Sequence, residues 1–387
     1  MKTVKRIVSV MLVAAMTLSL LVGCGNSGNG EAATTWKIGG IGPLSGGASV
    51  YGVAVKNGME LAINEINAAG GINGVQIEYN FQDDELDNEK AVNAYNTLKD
   101  WGMNILVGAV TSGCSIAVSA ETSNDNMFQL TPSGSAVDCI ATDNAFQVCF
   151  TDPNQGIGAA QYIGQNGLAQ KVAIIYNSSD VYSSGIYEKF MEEAQNQSFQ
   201  VVAEASFTDD SKTDFSVQLQ AAKDAGADLV FLPIYAQEAS LVLTQADAMG
   251  FDTTFFGCDG LDGILAIENF DTSLAEGVIL LTPFVADADD EMTQAFVENY
   301  VATYGETPNQ FAADAYDAIY TVKAAIEASG ATPEDGVSAI CDKLVAVMPT
   351  ISVDGLTGEG MTWAATGEVS KEPKAMVIVD GVYTNLQ

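Results

Sequence analysis

The sequence predicts an α/β protein of two lobes, each a parallel sheet flanked by helices, with a cleft between them. Three observations predict it. From Trp36 onwards, short continuous apolar runs alternate with amphipathic helical segments, the pattern of parallel strands covered on both faces. The pattern breaks at Asp152-Pro153-Asn154-Gln155-Gly156 and restarts with the same grammar, so the chain holds two α/β halves. A chain of 387 residues, 48% of them apolar, is long enough and apolar enough for two domains with real cores.

The opening unit organises the first half. Trp36 to Ile41 reads as a buried strand. The turn Pro43-Leu44-Ser45-Gly46-Gly47-Ala48 follows, rich in residues that leave backbone N–H groups free. Val55, Met59, Ala62, Ile63 and Ile66 then fall on one helical face. Gly70-Gly71 stops that helix, because glycine enters the left-handed conformation without a Cβ clash. Val75 to Phe81 is a second strand, with Asp83-Asp84 at its carboxyl end. Strand, turn, helix, strand is a right-handed βαβ unit. It aims a helix N-terminus, with unpaired donors, at whatever lies beyond the strand ends.

The first half continues with a helix from Asn88 to Asp100 and a strand from Asn104 to Gly108. A helix from about Ser115 to Asn124 comes next. Met127 to Leu130 is a strand ending in Thr131-Pro132-Ser133-Gly134-Ser135, and Ala145 to Phe150 is another. In the second half a helix runs from about Gln155 to Asn166. Lys171 to Tyr176 is a strand, and a helix covers Gly185 to Asn196. Phe199 to Phe207 is a strand, and Asp214 caps a helix through Ala222. Asp228 to Ile234 is a strand, then a helix runs to Met249. Thr253 to Phe256 and Gly277 to Phe284 complete the strands. From Asp289 the chain turns helical, with Glu291 to Tyr304, Phe311 to Ser329 and Pro333 to Val347. The tail from Ile351 to Val382 is β-rich and punctuated by glycine.

Residues 1–23 read as a secretory signal: Lys2, Lys5 and Arg6, then an apolar run from Ile7 to Val22. The run is short for a spanning helix. The end Leu21-Val22-Gly23-Cys24 resembles a bacterial lipobox, which implies lipidation of Cys24. Residues 24–35 form a polar tether.

Composition excludes several chemistries. The formal charge is −35, and losing Lys2, Lys5 and Arg6 with an acid-free signal takes it to −38. Such a chain repels nucleic acid. It has no histidine, and its single arginine is Arg6. His-based triads and metal sites, and arginine clamps on carboxylate or phosphate, are therefore impossible in the mature chain. No C-x-x-C spacing points to zinc, so no metal and no cofactor is expected. Cys114, Cys139, Cys149, Cys258 and Cys341 remain, an odd number, so at least one is free. Cys139 and Cys149 flank a short turn-like segment; a disulfide and two buried thiols stay equally open.

Several segments together resemble the amino-acid-binding branch of the type I periplasmic binding proteins, the Leu/Ile/Val-binding protein family of ABC importers. They are GPLSGGASVYG (42–52), GMELAINEINAAGGINGVQIE (58–78), the Asp84 region, LVGAVTSG (106–113), QLTPSGS (129–135), DPNQG (152–156), KVAIIYN (171–177), DLVFLPIY (228–235) and YGETPNQFAADAYDA (304–318). The resemblance implies two lobes joined by three crossings. Lobe one is 36–152 plus 283–345, and lobe two is 153–282 plus 346–387. It implies hinge closure on one small ligand.

The resemblance also implies site residues. The hydroxyls of Ser112 and Ser135 hold a ligand carboxylate, alongside backbone N–H groups near Gly134. The carbonyl of Ser133 and the carboxylate of Asp259 take its ammonium. Tyr182 and Tyr235 stand near the ligand from lobe two, and Tyr51 and Phe311 line its side-chain pocket. The bland alternatives are helix capping for Ser112 and Ser135, a turn residue for Asp259, and plain core for the aromatics. The family's usual acid at the ammonium position is glutamate; here it is one methylene shorter. Cys114 and Cys258 near the site have no explanation at this level.

The resulting expectation is a monomeric, lipid-tethered binding protein with no catalytic residue. It captures an amino acid, branched-chain or otherwise hydrophobic, and delivers it to an ABC importer permease. One alternative keeps the fold with an amide- or urea-type ligand. Another is a carboxylate-based hydrolase using Asp83, Asp84 or Glu121. A third is a sensor ectodomain, which the absence of a membrane-crossing run in the late sequence disfavours.

Overall fold

The structure, a computed structural model, describes residues 34–386. The expected signal segment 1–23 and the expected lipidation site Cys24 lie outside the described residues. Five parallel strands make the first sheet: β1 (Trp36–Gly42), β2 (Ile77–Asp83), β3 (Ile105–Gly108), β4 (Gln129–Thr131) and β5 (Ala145–Gln147). Their order is β2-β1-β3-β4-β5. Its helices are α1 (Ser49–Ala68), α2 (Asn88–Trp101) and α3 (Ser112–Asp125).

The second sheet holds β6 (Lys171–Asn177), β7 (Gln200–Phe207), β8 (Leu229–Leu232), β9 (Thr254–Gly257) and β10 (Ile279–Thr282). Two late strands, β11 (Lys374–Val379) and β12 (Val382–Asn385), extend it. The order is β12-β11-β10-β9-β8-β6-β7, parallel except for the last two strands, which pair antiparallel. Its helices are α4 (Asp152–Gln165), α5 (Val181–Ala194), α6 (Ser216–Asp224) and α7 (Ala236–Ala248). Between β10 and β11 come α8 (Glu291–Tyr304), α9 (Gln310–Ser329) and α10 (Val337–Val347). These return to the first sheet, because α9 packs across α1. Gly58 permits that crossing: a Cβ there would stand 2.1 Å from the Ala312 carbonyl oxygen. The chain therefore passes between the halves three times, after β5, after β10 and before β11.

One expected boundary needs correction. The Trp363 indole N–H donates to Gln147 O at 2.8 Å, and Gln147 N donates to Gly367 O at 3.1 Å. Leu356 N and Thr357 N donate to the Asp317 carboxylate at 2.8 and 2.9 Å. Residues 353–369 thus lie against the first sheet and α9, and only β11 and β12 join the second. The expectation placed all of 346–387 with lobe two. Hydrogen bonds to Asp317 and Gln147 decide the matter, and no periodicity announces them.

Smaller differences have local causes. β2 begins at Ile77 because Ile72 and Val75 close a tight turn first. α5 starts at Val181, since Asp180 accepts from Ser183 N at 3.1 Å and caps the helix there. Asp214 accepts from Ser216 N, but the cap position itself is Phe215. Pro333–Asp335 is a separate 3₁₀ turn, so α10 starts at Val337. Cys139 and Cys149 are separate buried thiols, as are Cys114, Cys258 and Cys341. Among the described residues no helix is long and apolar enough to cross a membrane.

Candidate ligand-binding site

Strand order reverses in the first sheet at β1 and β3, whose outer neighbours are β2 and β4. In the second sheet it reverses at β6 and β8. Clefts beyond the carboxyl ends of strands at such points are where open α/β sheets bind ligands. The two switch points face one cavity. Tyr51, Val110, Thr111, Ser112, Ser133, Tyr182, Tyr235, Asp259, Gly260 and Phe311 line it.

Helix starts supply most of the lining. Tyr51 is in the first turn of α1, Ser112 opens α3, Tyr182 is second in α5, Tyr235 precedes α7 and Phe311 is second in α9. All but Phe311, which follows a helix–turn–helix junction, are delivered by a strand–turn–helix junction. Several helix N-termini thus converge on one small volume, and their dipoles favour a bound anion.

Ser112 is set up as a donor. Its Oγ accepts from Ser135 N at 3.2 Å and Ala136 N at 3.1 Å, so its acceptor capacity is filled and its own proton is free. It does not cap α3, whose cap position is Thr111 and carries no side-chain bond. Ser133 Oγ donates to Val110 O at 2.7 Å. Gly134 and Ser135 sit behind the lining: Gly134 N donates to Thr131 Oγ1 at 2.7 Å, and Ser135 is 1% exposed with its Oγ unpartnered.

Asp259 is the one acid among the lining residues, and it is 4% exposed. It sits in a turn, as the bland alternative has it, but its carboxylate faces the cleft. Oδ1 accepts from the Tyr182 hydroxyl at 2.7 Å, and that hydroxyl accepts from Gly260 N at 2.9 Å. Only glycine fits at 260, because a Cβ would lie 2.5 Å from the Tyr182 hydroxyl. Asp259 N donates to Gln155 Oε1 at 3.0 Å. Burial pushes the Asp259 carboxyl up to about 7, against the Tyr182 and Gln155 hydrogen bonds that favour its charge. Among the described residues no cation pairs with it.

Four aromatic rings form a continuous wall. Tyr182 stacks on Tyr235 at 5.0 Å, Tyr235 meets Tyr51 at 5.5 Å, and Tyr51 meets Phe311 edge-on at 4.7 Å. Tyr51 is more than wall. Its hydroxyl donates to Gly260 O at 2.6 Å and accepts from Ala236 N at 2.7 Å, both on the opposite half. Gln310 also spans the cleft, with its side chain donating to Asp259 O at 2.9 Å and its backbone N–H to Asp262 at 2.8 Å. The two halves are closed on each other.

Seven of the nine expected ligand-binding residues therefore line the cavity, and Gly134 and Ser135 support it from behind. Val110, Thr111 and Gly260 line it unforeseen, and Gln155 and Gln310 hold Asp259 in place. The signal for Gln155 lay in DPNQG (152–156), a polar cluster opening a helix whose later turns are apolar. Cys258 packs in the second-sheet core and Cys114 against α2, so neither thiol lines the cavity. The acids of the hydrolase alternative do not line it either. Asp83 ties down the 43–48 turn through Leu44 N and Ser45 Oγ, both at 2.8 Å, and Asp84 is buried on Leu86 N. Glu121 lies on α3. Among the described residues no cluster of potential metal ligands gathers.

A family model described as periplasmic binding protein matches residues 35–381. The chain belongs to the periplasmic binding protein family. Its relatives place it in the Leu/Ile/Val-binding branch. Leu/Ile/Val-binding protein homolog 3 of Brucella melitensis is 30% identical over 339 residues, covering 86% of this chain and 88% of that protein. A leucine-, isoleucine-, valine-, threonine- and alanine-binding protein of Pseudomonas aeruginosa is 28% identical, over 78% of this chain and 81% of its own. The branched-chain amino acid transporter substrate-binding protein LivJ of Streptococcus pneumoniae, solved with isoleucine, superposes with a TM-score of 0.82. It is 29% identical and covers 90% of this chain and 97% of its own. The two-sheet architecture of this periplasmic binding protein is the type I fold, and family membership places it outside the cytoplasm.

Proposed function

We propose that this protein captures one free amino acid, branched-chain or otherwise hydrophobic, in the closed cleft and hands it to an ABC importer. The observation that carries the reading is Asp259, a buried acid without a cation, in the same cavity as Ser112, a hydroxyl committed to donate. An α-amino acid matches both. Its ammonium restores the charge balance of Asp259, and the Ser133 carbonyl adds an acceptor. Its carboxylate meets the Ser112 hydroxyl and the N-terminus of α3, where a chain whose one arginine is Arg6 must hold an anion. Ser135 assists through its hydroxyl. Tyr51, Tyr182, Tyr235 and Phe311 enclose an apolar side chain. Closure follows from differential affinity: the ligand contacts both halves only when they meet. Anchoring to the membrane through a lipid on Cys24, a monomeric state, and delivery rather than catalysis complete the reading.

The test is a thermal-shift and calorimetric screen of the amino acids beside urea, a short amide and benzoate. Saturable binding of leucine, isoleucine or valine, with no turnover on prolonged incubation, supports the reading. Binding of urea or amide alone overturns it, since neither offers a cation to Asp259.

A further inference from the structure

Asp152 is a buried acid that no part of the proposed grip uses. It opens α4, where the chain first crosses between the halves, and its N–H donates to Ser135 O at 2.9 Å. Its side chain is 2% exposed, and neither carboxylate oxygen has a hydrogen-bond partner. α5 covers it closely: a Cβ on Gly185 would stand 3.3 Å from Asp152 Oδ2. The polar side-chain group that reaches it is the Ser135 hydroxyl, which has no hydrogen-bond partner among the described residues. Two adjacent buried polar groups, neither with a partner among the described residues, call for a physical explanation.

The charges acting on Asp152 are both negative, Asp259 from the turn after β9 and Asp180 from the cap of α5. The titratable groups it acts on in turn are Cys139, Tyr182, Tyr235 and Cys258. None supplies a positive charge at neutral pH. Burial pushes the Asp152 carboxyl well above the usual range, which favours its neutral form, and a neutral carboxyl has one O–H to donate.

We infer that Asp152 is a positioning residue: it donates its proton to Ser135 Oγ and so turns the Ser135 hydroxyl away from itself, toward the wall that holds the carboxylate of the bound amino acid. The direction matters. An ionised Asp152 would take the Ser135 proton for itself and leave a lone pair and a second negative charge facing the ligand carboxylate. The inference rests on the amino-acid reading above and adds a proton-dependent switch to it.

The experiment titrates leucine calorimetrically into the wild type, D152N, D152A, S135A and the double variant D152A/S135A, across mildly acidic to mildly alkaline buffers. The carboxamide of D152N keeps a neutral donor, so its neutral-pH affinity stays within about threefold of wild type. D152A loses about tenfold, the order of one hydrogen bond to a charged group. The double variant is no weaker than S135A alone, because Asp152 acts through that hydroxyl. On raising the pH, wild-type affinity falls ahead of D152N; the ammonium of leucine and Asp259 titrate alike in both. D152N as weak as D152A, parallel pH profiles, or additive losses in the double variant would each overturn the inference. If D152A does not fold, the pH profile of D152N decides alone. A wild type that binds no amino acid at all instead sinks the parent reading, and this inference with it.

Discussion

The Tyr51 hydroxyl donates to the Gly260 carbonyl at 2.6 Å, across the cleft and 209 residues along the chain. The same oxygen accepts from Ala236 N at 2.7 Å. One side chain of the first half thus satisfies two backbone groups of the second, beside the acid that faces the ligand. Closure is held partly by the protein's own bonds, and the ligand adds to a preformed latch.

Tyr51→Phe removes that latch with little change of volume. It leaves a buried N–H and a buried C=O unpaired in the closed form, at roughly 1–3 kcal/mol for each group stranded. Leucine affinity should fall about tenfold or more, and small-angle scattering of the ligand-free variant should show a larger radius of gyration. Equal affinity and equal size would remove Tyr51 from the closing mechanism.

Asp259 predicts opposite pH trends with and without ligand. The cavity holds its carboxyl at about 7, above the ordinary carboxylate value of 3.8, and burial also raises Asp84 and Asp262 to about 6. Groups raised on folding stabilise at low pH and lose that contribution as pH climbs through their folded values. The ligand-free protein should therefore melt about 2 °C or more higher at pH 5 than at pH 7. An ammonium needs the ionised Asp259, so leucine affinity should fall as pH drops below about 7. Asp259→Asn should cost about 2–5 kcal/mol of binding, the scale of a stranded buried charge, and flatten this acid limb. A limb that persists in the variant would assign it to another group.

Lys371 and Asp314 meet at 2.8 Å with side chains 1% and 2% exposed. Lys371 also donates to Thr357 Oγ1, which in turn donates to Asp317 at 2.6 Å. This network fastens the segment before the third crossing to α9, the helix that carries Gln310 and Phe311. Lys371→Met strands Asp314 and should destabilise the fold by about 3–5 kcal/mol. Chemical denaturation checks it; a loss under 1 kcal/mol would mean water reaches the pair.

Much of the site was legible because it is built from local grammar. An apolar strand, a Gly- or Ser-rich turn and an amphipathic helix fix where Tyr51, Ser112, Tyr182 and Tyr235 emerge, whatever the distant contacts. Asp259 was legible only through its neighbours in Gly-Cys-Asp-Gly and the family resemblance. What the pattern could not carry was second-layer and cross-cleft bonding. Gln155 and Asp259 lie 104 residues apart, and Gln310 reaches Asp262 over 48. The fastening of residues 353–369 to Gln147 and Asp317 escaped for the same reason. Asp152 reads as an ordinary helix opener until its lack of partners is seen.

A crystal structure with leucine bound tests the central claim most directly. The account predicts the ammonium within about 3 Å of Asp259, the carboxylate on the Ser112 hydroxyl and the N-terminus of α3, and the side chain against Tyr51 and Phe311. A ligand bound outside the cavity, or one whose carboxylate lies beside Asp259, would contradict it.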